Sequence, residues 1–210
     1  LEIPDDIKEG MTAEALSMID TDWYIDELYD FLKDMDVSII RARYSRYVVD
    51  LNRGTNGVSL YPGKFETTLC PINTFDGEPL YKDGITPDIN ARTAKYWDAH
   101  SIKSHVPQLF DGRLPDLNIG TGNGCSAGHA LVEKLDEIVK ASSYSSALNS
   151  RFKGGYITRN YGDPRNDIHA VQLEISQITY MDEAPLLKFR DDKADQLRPV
   201  LKSLIETMVG

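Results

Sequence analysis

The chain has 210 residues, 41% hydrophobic and 27% charged, so it carries enough apolar material for a packed core without disulfide or metal staples. Its net charge of −10 argues against a nucleic-acid binder, which ordinarily presents a basic face. It has no run of about 18 apolar residues to cross a bilayer, and its two cysteines, Cys70 and Cys125, set no disulfide framework, as expected for reduced thiols of a cytoplasmic protein.

Leu1–Asp6 lacks the basic and apolar regions of a signal peptide, so no targeting segment is expected. Residues 12–35 read as helix: Thr12 before Ala13-Glu14-Ala15 starts one pattern, Asp20-Thr21-Asp22 offers caps for the next, and Trp23, Ile25, Leu28, Phe31 and Leu32 recur at helical spacing. The β-branched runs 37–40 and 47–51 are predicted strands. Residues 53–87 are rich in Gly, Pro, Asn and Asp yet keep recurring aromatics, which suits a long ordered loop that carries function. A strand edge and loop are expected over 98–110, a Gly-rich loop over 112–128 and a helix over 129–148. Strands are expected at 156–158 and 169–175, and an amphipathic helix over 193–209, built on Leu197, Val200, Leu201, Leu204, Ile205 and Met208. Strands alternating with helices give an α/β class with a largely parallel sheet. No repeat and no domain boundary is visible.

Four constellations could carry chemistry. In Arg46-Tyr47-Val48-Val49-Asp50-Leu51-Asn52-Arg53 an apolar strand ends in Asp-Leu-Asn-Arg and breaks at Gly54. Carboxyl ends of parallel strands are where α/β proteins bind ligands, and Arg53 there could grip a carboxylate bidentately with Asn52 as a further donor. Strand alternation would put Arg46, Val48, Asp50 and Asn52 on one face. The blander alternative is an Asp50–arginine pair that only pins a loop. In Asp98-Ala99-His100-Ser101, His100 is a candidate metal ligand or an ordinary hydrogen-bonded histidine at a strand end. In His169-Ala170-Val171-Gln172-Leu173-Glu174-Ile175, a carboxylate on an apolar strand suits a general base with a raised pKa, unless Glu174 sits on an edge in solvent. Asn118-Ile119-Gly120-Thr121-Gly122-Asn123-Gly124 matches neither a P-loop nor GxGxxG, and reads as a backbone-lined loop open to substrate.

Together, RARYSRYVVDLNR (41–53), LYPG (60–63), LCP with TFDGEPLY (69–81), DAHSI (98–102), LPDLNIGT (114–121), FKGGYITRNYG (152–162) and HAVQLEISQITYM (169–181) resemble the N-formylglutamate amidohydrolase family, in collinear order over nearly the whole chain. The resemblance implies a three-layer α/β/α fold with a central mixed, largely parallel sheet, similar to zinc-dependent carboxypeptidase and aspartoacylase-type hydrolases. It implies hydrolysis of N-formyl-L-glutamate to formate and L-glutamate in histidine degradation, with a divalent metal, Zn2+, as cofactor and a small anionic amino-acid-derived substrate. By the same resemblance, Asn52, Arg53 and Arg159 bind substrate carboxylates and Arg46 stabilises the oxyanion. His100 and Asp22 ligate the metal, and Glu174 is the general base. Other readings are a related N-acyl amino acid amidohydrolase with another acyl group, and a metal-free binding protein on this scaffold. The family pattern carries a Pro-His-x-Gly strand, with a metal-ligating His, ahead of Glu2-Ile3-Pro4, and a helix-length segment between Tyr96-Trp97 and Asp98-Ala99, which are fused here. Gly124-Cys125-Ser126 also departs from it. The chain is therefore read as one amidohydrolase domain, residues 1–210, lacking those two segments.

Overall fold

A computed structural model describes residues 1–55, 57, 59, 66–92, 113–183 and 186–210. In chain order its helices and strands are α1 (Asp5–Lys8), α2 (Ala13–Leu16), α3 (Ile25–Leu28), α4 (Ile89–Arg92), β1 (Leu117–Gly120), α5 (His129–Ala141), β2 (Ser146–Leu148), α6 (Tyr156–Tyr161), β3 (Gln172–Ile175), β4 (Met181–Asp182), β5 (Lys188–Phe189) and α7 (Asp191–Val209). The chain divides into two compact units, Leu1–Thr21 with Ile40–Asp111, and Asp22–Ile39 with Gly112–Gly210.

Among its described residues, the first unit has isolated β-bridges but no strand of its own. Thr12 caps α2 as expected, accepting the Ala15 amide at 3.1 Å. The helix expected over 12–35 is broken where Met18 and Tyr24 take positive φ, leaving α2, α3 and a 3-10 turn at Asp30–Asp34. The strand expected at 47–51 is a run of turns. The reason is local: Ser45 Oγ accepts the Tyr47 amide at 3.2 Å, Asp50 Oδ1 accepts the Asn52 amide at 3.1 Å, and the Val48 amide returns to the Ser45 carbonyl at 2.9 Å. Short polar side chains thus supply bonds that a ladder would otherwise make. Val48 and Val49 are nevertheless buried, with Ile3, Ile7, Met11, Leu80 and Tyr81. The proposed single face of Arg46, Val48, Asp50 and Asn52 therefore does not exist. Arg92 at the end of α4 locks this core, its Nη1 donating to the Tyr81 hydroxyl at 2.6 Å and the Tyr47 carbonyl at 3.2 Å. Residues 37–40 form no strand either, and Ile39 and Ile40 are exposed.

The second unit contains a mixed sheet in the order β2-β1-β3, with β1 parallel to β2 and antiparallel to β3. The α/β class with a mixed sheet stands. One of these two pairings is antiparallel, so the described sheet is not largely parallel. The central strand falls where a Gly-rich loop was expected. All four residues of β1 are buried, so it shows none of the in-out alternation that marks a half-exposed strand. Gly120 ends it for a steric reason: a Cβ there would lie 2.5 Å from the Gly154 amide nitrogen. Leu117 and Ile119 pack with Leu135 and Val139 of α5 and with Ala194, Leu197, Leu201 and Leu204 of α7, the last four at helical spacing. α5 stops at Ala141, and β2 occupies the end of the helix expected over 129–148. The expected strand at 156–158 is the start of α6, where the Arg159 amide bonds the Gly155 carbonyl and the Gly162 amide the Thr158 carbonyl, both at 3.2 Å. A three-residue apolar run does not distinguish the two periods. Among the described residues, no helix is long and apolar enough to cross a membrane.

Candidate active site

In the first unit, Arg46, Asp50, Asn52, Arg53 and Thr67 form one polar cluster. The turn at 46–50 places Arg46 and Asp50 four residues apart, and Arg46 Nη2 donates to Asp50 Oδ2 in a pair almost closed to solvent. The same Nη2 donates to Thr67 Oγ1 at 2.9 Å, and the guanidinium carbon lies 4.3 Å from the centre of the Phe75 ring. Among the described residues, Arg46 Nε is buried without a hydrogen-bond partner. An orphaned buried donor on a cation is costly unless a ligand or water completes it. Arg53 Nε donates to the Thr67 carbonyl at 2.9 Å, Nη1 to the Asn52 carbonyl at 3.1 Å and Nη2 to Thr67 Oγ1 at 3.4 Å. Asp50 thus pairs with Arg46 and pins the turn, as the blander reading expected, and Arg46, Asn52 and Arg53 converge with it and with Thr67, which pattern reading did not assign.

In the second unit, Glu174 on β3 is 4% exposed, which removes the alternative of an edge carboxylate in solvent. Two residues earlier on the same strand face, Gln172 Nε2 donates to Glu174 Oε1, while Gln172 Oε1 accepts the Gly155 amide at 2.6 Å. This fixes the orientation of the Gln172 amide and holds the carboxylate in place. Asn118 pairs with Glu174 across the β1–β3 ladder. Its Nδ2 bonds the Pro115 carbonyl at 2.7 Å, and its Oδ1 is buried without a partner among the described residues. Arg159 lies exposed on α6, its Cγ 3.8 Å from the position a Cβ on Gly122 would take.

The Gly-rich loop after β1 is not a cradle of free amides. The Gly122 amide bonds the Lys153 carbonyl, the Asn123 amide bonds Asn149 Oδ1, and the Gly124 and Ser126 amides bond the Thr121 carbonyl. Asn149 braces the loop further, accepting the Thr121 amide at 2.8 Å and donating to Thr121 Oγ1 at 2.9 Å. These amides are taken up within the fold and are not free donors for a ligand. His169 is likewise engaged within the fold: Nδ1 accepts the Gly128 amide at 3.3 Å and Nε2 lies 3.3 Å from Asp167.

Asp22 is half-buried ahead of α3. Burial, with the Asp22 charge close by, pushes the Tyr180 hydroxyl well above its usual range. His100 lies outside the described residues. Among the described residues, no three His, Cys, Asp or Glu side chains are grouped to hold a metal ion, so by themselves they do not make a complete donor set. Thr67 and Gln172 are the residues that sequence reasoning missed. Gln172 had a signal, since it is two residues from Glu174 on one strand face. Thr67 had none, standing 21 positions from Arg46 in a loop.

The family model for N-formylglutamate amidohydrolase matches residues 1–98 and 90–181, two segments that meet at 90–98, where Tyr96-Trp97 and Asp98-Ala99 are joined directly. N-formylglutamate deformylase of Pseudomonas putida is 44% identical over 238 aligned residues, covering 100% of this chain and 89% of that protein. The deformylase of Pseudomonas aeruginosa is 43% identical, covering 97% and 87%. The crystal structure of N-formylglutamate amidohydrolase from Ralstonia eutropha JMP134 superposes with a TM-score of 0.74 at 18% identity, over 99% of this chain and 89% of that one. A gene product of Agrobacterium tumefaciens gives a TM-score of 0.65 at 15% identity, over 99% and 84%. The chain belongs to the N-formylglutamate amidohydrolase family.

Proposed function

We propose that this chain hydrolyses N-formyl-L-glutamate to formate and L-glutamate, in histidine degradation, with a divalent cation, Zn2+, as cofactor. Identity of 44% to a deformylase across the whole chain supports the substrate. The observation that carries the chemistry is Glu174, a buried carboxylate held by Gln172. Asn52 and Arg53 take one carboxylate of the substrate and Arg159 the other. Arg46, with its unpartnered Nε, donates to the oxygen that gains charge as water adds to the formyl carbon. Glu174 accepts the proton of the attacking water and delivers it to the amide nitrogen as the C–N bond breaks, releasing formate and the amine of glutamate. His100 and Asp22 would hold the cation, which when bound lowers the pKa of water and polarises a carbonyl. The finer reading of the fold is a three-layer α/β/α arrangement of the zinc exopeptidase type, within which the mixed β2-β1-β3 sheet would be the middle layer.

The test is metal analysis together with formate release. Glu174→Gln is expected to keep wild-type metal content and lose turnover by at least about a hundredfold. Near-normal turnover would remove Glu174 from the base role. Acetate release from N-acetylglutamate, with no formate from the formyl substrate, would shift the reading to an amidohydrolase with a larger acyl pocket.

A further inference from the structure

We propose that Asn118 is a further catalytic residue of the amide cleavage: its Oδ1 accepts the hydrogen of the scissile nitrogen while Glu174 protonates the lone pair of that nitrogen. The proposal rests on the reading of Glu174 as the base that later delivers its proton. Its evidence is a buried acceptor that the fold leaves unused. Asn118 is 2% exposed, and its Oδ1 has no partner among the described residues. Turning the amide round would not relieve this, because Nδ2 donates to the Pro115 carbonyl at 2.7 Å and an oxygen in its place would face an oxygen. A buried asparagine satisfied at one end only costs stability, so its unused oxygen is a place for a donor from outside the fold.

The sheet sets that oxygen beside the base. Leu117, Ile119 and Ile175 turn to the apolar core shared with α5 and α7. Asn118, Gln172 and Glu174 therefore occupy the opposite face. Asn118 stands directly across the ladder from Glu174, and the side chains of such a pair start about 4.5–5.5 Å apart, so one substrate atom can lie within hydrogen-bond reach of both. On its other side Asn118 faces Ala147 of β2, whose methyl donates nothing. The atom that Glu174 protonates is a nitrogen carrying one hydrogen. Addition of water to the formyl carbon turns this planar amide nitrogen into a pyramidal amine, and protonation then makes it cationic. Its N–H becomes a stronger donor on protonation, so a bond to Oδ1 tightens as the C–N bond breaks. Such an interaction lowers the barrier more than it aids binding.

A formyl ester reads this bond directly. The ester 2-(formyloxy)glutarate carries an oxygen where N-formyl-L-glutamate carries N–H, so it has no hydrogen to give Oδ1. Asn118→Leu keeps nearly the same shape without the acceptor. It is expected to lower kcat for N-formylglutamate roughly ten- to a hundredfold with KM little changed, the loss of one charge-assisted hydrogen bond made in the transition state. On the ester the same variant is expected to match wild type. Asn118→Ala adds no bulk and should repeat the pattern, which keeps the test open if the leucine variant does not fold. Equal losses on amide and ester, as partial unfolding would give, or no loss on the amide, overturn the proposal. Glu174→Gln run on both substrates separates it from the reading beneath it. Near-normal amide turnover in that variant removes the base, and the role of Asn118 falls with it. A large loss there, beside Asn118 variants that treat amide and ester alike, removes Asn118 alone.

Discussion

Asp50 and Arg46 are both buried, four residues apart, and each neutralises the other. Such a pair adds little net stability over apolar residues of the same size, yet removing one member strands the other. Asp50→Ala is therefore expected to destabilise the first unit by about 3–5 kcal/mol. Denaturant unfolding would read this as a lower midpoint, and an unchanged midpoint would mean that Arg46 finds another anion. The residue types of Asp-Leu-Asn-Arg were a sound guide to a charged site. Their geometry was not, because Ser45 and Asp50 make their own bonds to nearby amides and curl the segment out of a strand. Glu174 was legible for a different reason: a charge on an apolar strand demands a partner, and here that partner stands two residues away on the same face.

At the scale of elements, α5 and α7 were readable because an apolar stripe at helical spacing persists through 13 and 19 residues. β1 was not, since four buried residues in a row ending in glycine carry no period. What fixes β1 instead is a polar clamp at its start. The Asp116 amide donates to Ser145 Oγ at 3.0 Å, and Asp116 Oδ2 accepts the Ser145 amide at 3.0 Å and its hydroxyl at 2.8 Å. Arg113 adds an ion pair at 2.6 Å from a largely exposed position. Burial raises the Asp116 carboxyl, but the bonds from Ser145 and Arg113 outweigh it and hold the group below the usual carboxylate range. A carboxyl whose folded pKa is depressed stabilises the fold above its unfolded pKa and loses that contribution as pH falls through the folded one. Asp116→Ala is thus expected to cost about 1–3 kcal/mol at neutral pH. The gap between wild type and variant should narrow as the pH falls below the ordinary carboxylate range. A gap that stays constant through that range would show that the clamp does not depend on the ionised carboxylate.

For the whole molecule, the 210 residues carry a net charge of −10, while the proposed substrate is a dianion. The distant field repels what the arginines attract, and the two act over different lengths. Raising ionic strength from 0.01 to 0.1 M shortens the screening length from about 30 to about 10 Å. That removes the far-field repulsion while leaving contacts at hydrogen-bond distance nearly intact. By 1 M the screening length is about 3 Å, comparable to the contacts themselves. The ratio kcat/KM for N-formylglutamate is therefore expected to rise between 0.01 and 0.1 M salt and to fall toward 1 M, measured from initial rates well below KM. Focused cations in an acidic protein predict that maximum. A steady decline from the lowest salt would mean that local attraction dominates at every distance and that the acidic surface plays no part in substrate capture. A steady rise would mean that no arginine cluster lies on the path of the substrate at all.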